Sequence, residues 1–276
     1  MEKITIDKEL EKKSSWLRKE LFELFLQAKQ GHPGSVLSQI EIMVTLYYGG
    51  VLKYKYGTPH DPERDRVIIS KGHSTMGLYP ILADIGFFPK EELKKYGYGT
   101  GILRIFGNIS IPGIDATSGS LGHGQGVGAG YALSAKKKKL SQKTYVIISE
   151  GEMYEGALWE TALFASHHKL DNLICVLDRN HKIILGDTED LLELEPIQDK
   201  WASFGWDVFK VNGHSITELL DVFERTKEKN GNPKVIIADT VKGKGISQME
   251  HQPDWHYWQG MTEEDIQTAH KELEIV

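Results

Sequence analysis

The 276-residue chain has a single cysteine, Cys175, so no intrachain disulfide can form. A thiol set within an apolar run reads as a small buried hydrophobe and suits a reducing, cytoplasmic setting. Long hydrophobic stretches are missing too. No apolar run approaches the length that spans a bilayer, and the opening MEKITIDKELEKK lacks the apolar core of a secretory signal, so a soluble protein with no membrane partner is expected. Nor is there a basic arm. With 33 Lys and Arg against 39 Asp and Glu, the formal net charge is −6, which argues against nucleic acid as a principal partner. The one basic run, lysines 136–139, closes an apparent helix, where cations suit the helix dipole. Internal repeats and low-complexity linkers are absent, so residues 1–276 read as one domain.

What is present centres on residues 144–182. An apolar β-rich run ends at Ser149-Glu150-Gly151, an acidic helix-like segment follows from near Glu152, and a second apolar run ends at Asp178-Arg179-Asn180. In a parallel βαβ unit both strands finish on the same sheet edge, which brings Glu150 and Asn180 to one point although they are far apart in the chain. A carboxylate and an amide oxygen beside a glycine turn suit a hard cation, Mg²⁺ or Ca²⁺, that completes its shell with water and phosphate. The helix start adds N–H groups that favour an anion. An ordinary crossover with an acidic first turn would read the same way.

The flanking segments continue the alternation. Residues 6–29 carry apolar positions at helical spacing and stop at Gly31-His32-Pro33-Gly34, and Ser38 with Glu41 has the pattern of a capping box before the next helix. His32 therefore stands in a loop between two helices, which taken alone is no evidence for a site. Residues 66–70 form a short strand that runs into Lys71-Gly72-His73, so His73 sits where ligands collect in open α/β sheets. The span 87–110 is a loop-rich excursion. Glycines from 119 to 130 make a backbone that a ligand or a neighbouring element can approach closely, and those from Gly124 onward open a helix. Strands at 66–70, 144–149, 172–178, 206–211 and 233–241, with a helix at 216–225, predict an α/β fold: a doubly wound, mainly parallel sheet flanked by helices. The tail from 241 to 260 is rich in Gly, His and Trp and returns to the strand ends, where Lys242, Lys244 and His256 are candidates for meeting phosphate.

Taken together, GHPGS (31–35), KGH (71–73), TSGSLGHG (117–124), SEGEMYEG (149–156), DRN (178–180), LEPIQDKWASFGW (194–206), VNGH (211–214) and KGKGIS (242–247) resemble, in order and spacing, the diphosphate-binding half of transketolase. The resemblance implies thiamine diphosphate as cofactor. It places Glu150, Asn180 and the main-chain oxygen of Lys182 at the metal, Gly151 with Glu152, Glu155 and Lys242 around the cofactor, His73 and His256 at the phosphates, and the backbone of Gly119 and Leu121 at the aminopyrimidine. His32, His73 and His256 become the catalytic candidates, since histidines titrating near neutrality suit proton movement among sugar hydroxyls. The implied activity is transfer of a two-carbon ketol unit from a ketose, or ketose phosphate, to an aldose.

The matching portion lacks the pyrimidine-binding and carboxyl-terminal domains of full transketolases. The resemblance is therefore to the amino-terminal subunit of a split enzyme, with a companion chain supplying the activating glutamate and, through Glu155 and Glu160 between paired sites, an α2β2 heterotetramer. Three positions depart from the family. Ser149 and Glu150 stand where it has Gly and Asp, and Phe106 lies close to the place of a substrate-contacting histidine, which points to a modified sugar. A thiamine-diphosphate subunit that acts on 2-oxo acids and a non-catalytic scaffold relative are the alternative readings.

Overall fold

The computed structural model describes residues 2–275. The chain runs as helices α1 (Glu2–Ala28), α2 (Pro33–Leu37) and α3 (Ile40–Tyr48), strand β1 (Arg66–Ile69), helices α4 (Tyr79–Asp84) and α5 (Gly124–Lys137), strand β2 (Thr144–Ser149), helix α6 (Gly156–His167) and strand β3 (Leu173–Arg179). It continues through a hairpin of β4 (Lys182–Ile183) and β5 (Gly186–Asp187), helices α7 (Thr188–Leu191) and α8 (Ile197–Ser203), strand β6 (Asp207–Asn212), helix α9 (Ile216–Arg225), strand β7 (Lys234–Asp239) and helix α10 (Glu263–Ile275).

Five strands form one sheet in the order β1-β2-β3-β7-β6, and every neighbouring pair is parallel. Alternate side chains enter two separate cores. Val67, Ile69, Tyr145, Ile147, Ile174, Val176 and Ile236 face the layer of α1, α3, α4, α9 and α10. Ile68, Val146, Ile148, Cys175, Leu177, Val235 and Ile237 face α5, α6 and α8. Burial on both faces explains why these strands read as continuous apolar runs without alternation. Cys175 is wholly buried in the second core, and burial raises its thiol well above the usual range, so it behaves as a hydrophobe. Among the described residues no helix is long and apolar enough to cross a membrane.

The expected doubly wound sheet is present, with local differences. The first helix begins at Glu2, ahead of residue 6, and the short β4–β5 hairpin was not anticipated. Ser38 and Glu41 do not form a capping box. Ser38 donates to Asp178 at 2.6 Å, and Glu41 takes Arg18 and His214, because charged partners in a buried setting outweigh a local cap. The capping box lies instead at Ser149 and Glu152, and it opens a 3₁₀ turn, Glu150–Tyr154, ahead of α6.

α5 lies close against the strand ends. A Cβ at Gly124 would come within 2.6 Å of Ser70 Cα, a backbone atom that cannot swing aside. Gly124→Ala is therefore expected to cost about 1–3 kcal/mol through overpacking, read as a fall of several degrees in the thermal midpoint.

Candidate functional site

The register fixes the site. Ser149 pairs with Asp178, and Arg179 pairs with Asp239, so the residues that follow β2, β3 and β7 leave the sheet at one edge. Above that edge is a cavity of about 300 Å³. His32, His73, Gly119, Leu121, Glu150, Gly151, Asn180, Lys182, Lys242 and His256 all line it, which unites segments from six parts of the chain.

Local structure presents each group. Gly31 has φ +113°, which lets the chain turn out of α1, and Pro33 opens α2 where its missing N–H costs nothing, leaving His32 aimed into the cavity. His73 stands in the turn after β1 and meets Ser35 Oγ at 3.1 Å through Nε2. His256 comes from the returning tail. The three imidazoles form a cluster, with ring centroids 5.1 Å apart for His32–His73, 5.1 Å for His73–His256 and 5.4 Å for His32–His256.

These histidines do not titrate near neutrality, contrary to the sequence reading. Burial, followed by the charge of Lys242, lowers His32 to about 4 and His256 to about 3, and burial with its two histidine neighbours takes His73 well below its usual value. At pH 7 all three are neutral bases. Lys242 is 1% exposed, and burial together with the charge of Lys71 lowers its ammonium from 10.5 to about 8. Its Nζ lies 3.4 Å from His256 Nδ1. The cavity thus holds a poorly compensated cation, which favours an anionic ligand, and beside it an unpartnered buried His32 Nδ1.

Beneath the cavity is a charged hub. Asp178, fully buried, accepts from Ser38, Lys71 and Thr240, and Lys71 also donates to the Ser35 carbonyl at 2.9 Å. Burial works against ionisation of Asp178, but Lys71 and the two hydroxyls hold its carboxyl below the usual value. Lys71 lines the cavity, yet its charge is committed to Asp178.

Glu150 is bound through Oε2 to the Arg179 guanidinium, which also contacts Thr188 and Glu189 at 2.7 Å each. Its Oε1 is buried without a partner. Burial outweighs the guanidinium and pushes the carboxyl up to about 7. Asn180 Oδ1 accepts from the Lys182 N–H at 3.2 Å. Among the described residues no group of three or more His, Cys, Asp or Glu side chains is placed to hold a metal ion alone. A carboxylate and an amide oxygen from residues that line one cavity suit a hard cation whose remaining ligands are phosphate and water.

Four sequence candidates lie elsewhere. Glu152 points into the protein and is used up by Ser70, the Gly122 N–H at 3.0 Å and the Ser149 N–H at 2.8 Å, so it shapes the turn behind Gly151 without lining the cavity. Glu155 is exposed at the start of α6, outside the cavity, as is Glu160 one turn further along. Lys244 also faces away and pairs with Glu250 at 3.2 Å. Conversely, sequence reading passed over Ser35, Lys71, Ile183, Ile184 and Tyr257 as lining residues, and over Arg179 behind Glu150. Lys71 and Arg179 each adjoin or fall inside a motif that was read, but only the strand register shows what their charges meet.

Residues 15–275 match the family described as transketolase, thiamine diphosphate binding domain. The chain is 39% identical over 248 residues to one of the subunits of the apulose-4-phosphate transketolase of Phocaeicola vulgatus, covering 90% of this chain and 88% of that one. It is 38% identical over 267 residues to the 6-deoxy-6-sulfo-D-fructose transketolase subunit SqwG of a Clostridium strain, covering 96% of each. Its fold superimposes on the crystal structure of transketolase from Campylobacter jejuni with a TM-score of 0.88 and 29% identity, over 96% of this chain and 42% of that longer one.

Proposed function

We propose a function from one premise: this chain belongs to the transketolase, thiamine diphosphate binding domain family, as a transketolase-type transferase subunit. The reading is that residues 1–276 act as one diphosphate-binding domain for transfer of a two-carbon ketol unit from a modified ketose, or its phosphate, to an aldose. The observation that carries it is the cluster of three neutral histidines beside buried Lys242 in one cavity. Thiamine diphosphate, when bound, supplies the carbanion stabilisation that the protein's own groups lack.

Each residue then has a role. Lys242, His73 and His256 hold the diphosphate, with the Gly151 main chain against it, and Gly119 and Leu121 offer backbone groups to the aminopyrimidine. Glu150 Oε1, Asn180 Oδ1 and the Lys182 main-chain oxygen take Mg²⁺ or Ca²⁺, with phosphate and water completing the shell. His32 and His73, unprotonated at neutral pH, accept hydrogen bonds or protons from sugar hydroxyls. Phe106, 6.2 Å from His32 between ring centroids, gives the mouth an apolar wall where the family's histidine would bind a hydroxyl. The names of the two relatives above, an apulose phosphate and a sulfo-deoxyfructose enzyme, support a modified sugar.

Their description as subunits supports a companion chain carrying the pyrimidine-binding domain and its glutamate, in an α2β2 assembly with Glu155 and Glu160 near the boundary. The test is to isolate the chain with its companion through an affinity tag and to assay it with thiamine diphosphate and Mg²⁺. Two-carbon transfer among ketoses and aldoses, without decarboxylation, is the expected result. Turnover confined to 2-oxo acids would assign the chain to a different reaction. Full activity on unmodified xylulose 5-phosphate and ribose 5-phosphate would remove the modified-sugar claim.

A further inference from the structure

A second cavity, of about 590 Å³, opens on the flank of the molecule where α1, the start of α9 and the loop after β7 meet. A chain of polar contacts crosses its floor. Arg18, 1% exposed on α1, donates from Nη2 to Glu41 Oε1 at 2.6 Å and from Nε to the Lys244 carbonyl at 3.0 Å. Glu41 Oε2 meets His214 Nδ1 at 2.8 Å, and the Val241 N–H reaches His214 Nε2 at 2.8 Å. A backbone N–H can only donate, so Nε2 is the bare nitrogen and Nδ1 carries the hydrogen given to Glu41.

The two backbone groups held by this chain, the Val241 N–H and the Lys244 carbonyl, bracket Lys242. On its inner side the same segment rests on α2. The Gly243 N–H donates to the Gly34 carbonyl at 3.0 Å, and a Cβ at Gly34 would come within 3.0 Å of Lys242 Cγ and Cε. Lys242 is thus clamped between α2 and the Arg18–Glu41–His214 chain, although none of those three residues lines the cofactor cavity. Apolar residues would fill this space at no electrostatic cost, whereas buried charges impose direction.

We propose that Arg18, Glu41 and His214 are positioning residues that fix the backbone on both sides of Lys242 and so place its ammonium in the diphosphate cavity. The proposal rests on the functional reading of that cavity. It is tested without ligand on the full chain by acetic anhydride labelling of lysines followed by mass spectrometry, with buried Lys71 as internal reference.

His214→Leu preserves bulk and removes both hydrogen bonds. It is expected to raise the labelling rate of Lys242 about fivefold, the effect of losing a hydrogen bond that holds the segment closed, with Lys71 unchanged. His214→Gln, which carries a donor and an acceptor on its tip, is expected to bring Lys242 back close to the wild-type rate. Arg18→Lys keeps a charge for Glu41 but loses the bond to the Lys244 carbonyl, and is expected to act in the same direction as the leucine variant. Unchanged labelling in His214→Leu, equal rates in the leucine and glutamine variants, or a rise in Lys71 in step with Lys242 would overturn the proposal. Pyrophosphate with Mg²⁺ is added to the wild type as a separate arm. Failure to protect Lys242 there refutes the diphosphate reading and leaves the comparison among variants intact.

Discussion

Lys242→Met is expected to weaken pyrophosphate binding by tenfold or more while raising the thermal midpoint of the ligand-free chain. The two effects have one cause. Burial lowers the Lys242 ammonium from 10.5 to about 8, which corresponds to about 3 kcal/mol of destabilisation at neutral pH, where the folded protein still has to keep the proton. Methionine occupies similar space with no charge to bury and is expected to raise the midpoint by roughly 5 °C or more.

The sign with pH follows. Between about 8 and 10.5 the unfolded chain binds more protons at this position than the folded one, so the lysine's penalty fades as pH rises through that window. The gap in stability between Lys242→Met and wild type is therefore expected to close toward pH 10.5. Anion affinity in the wild type moves the other way, falling by up to about tenfold per pH unit above 8 as the ammonium is lost. Calorimetric titration with pyrophosphate and thermal melts from pH 7 to 10.5 measure both. A variant that loses affinity and stability together would show that Lys242 is a structural residue and not a stored cation.

Asp178→Ala is expected to be the most damaging single change to the fold at this edge. Asp178 is 0% exposed and gathers Lys71 from the end of β1, Ser38 from the segment between α2 and α3, and Thr240 from the segment after β7. Removing the carboxylate leaves the Lys71 cation buried without a counter-charge, at a cost of about 3–5 kcal/mol, and the midpoint should fall by roughly 10 °C. Asp178→Asn keeps acceptor and volume but not charge, and an intermediate loss is expected. Because the folded carboxyl is held below its ordinary 3.8, its contribution is present above that value and is lost as pH falls through the lower folded value. Wild type should therefore lose stability on acidification below about pH 4 more steeply than Asp178→Asn, as urea unfolding across that range would show. Equal slopes would mean that Lys71 does not depend on this carboxylate.

Strand positions, the parallel sheet and the gathering of Glu150, Asn180, His73 and Lys242 at one edge were determined by the sequence alone. Those features follow from local apolar runs, from glycine turns, and from the geometric rule that parallel strands finish together. Tertiary structure decided the rest. It turned Glu152 inward onto Ser70 and Gly122, sent Ser38 to Asp178 in place of a helix cap, set Arg179 against Glu150, and took the three histidines away from neutral titration. Each of these outcomes depends on desolvation and on a polar or charged partner brought in from another part of the chain. Residue type and spacing carry propensity and periodicity, but the energy of a buried ionisable group is set by what surrounds it, and that is fixed only when the layers pack.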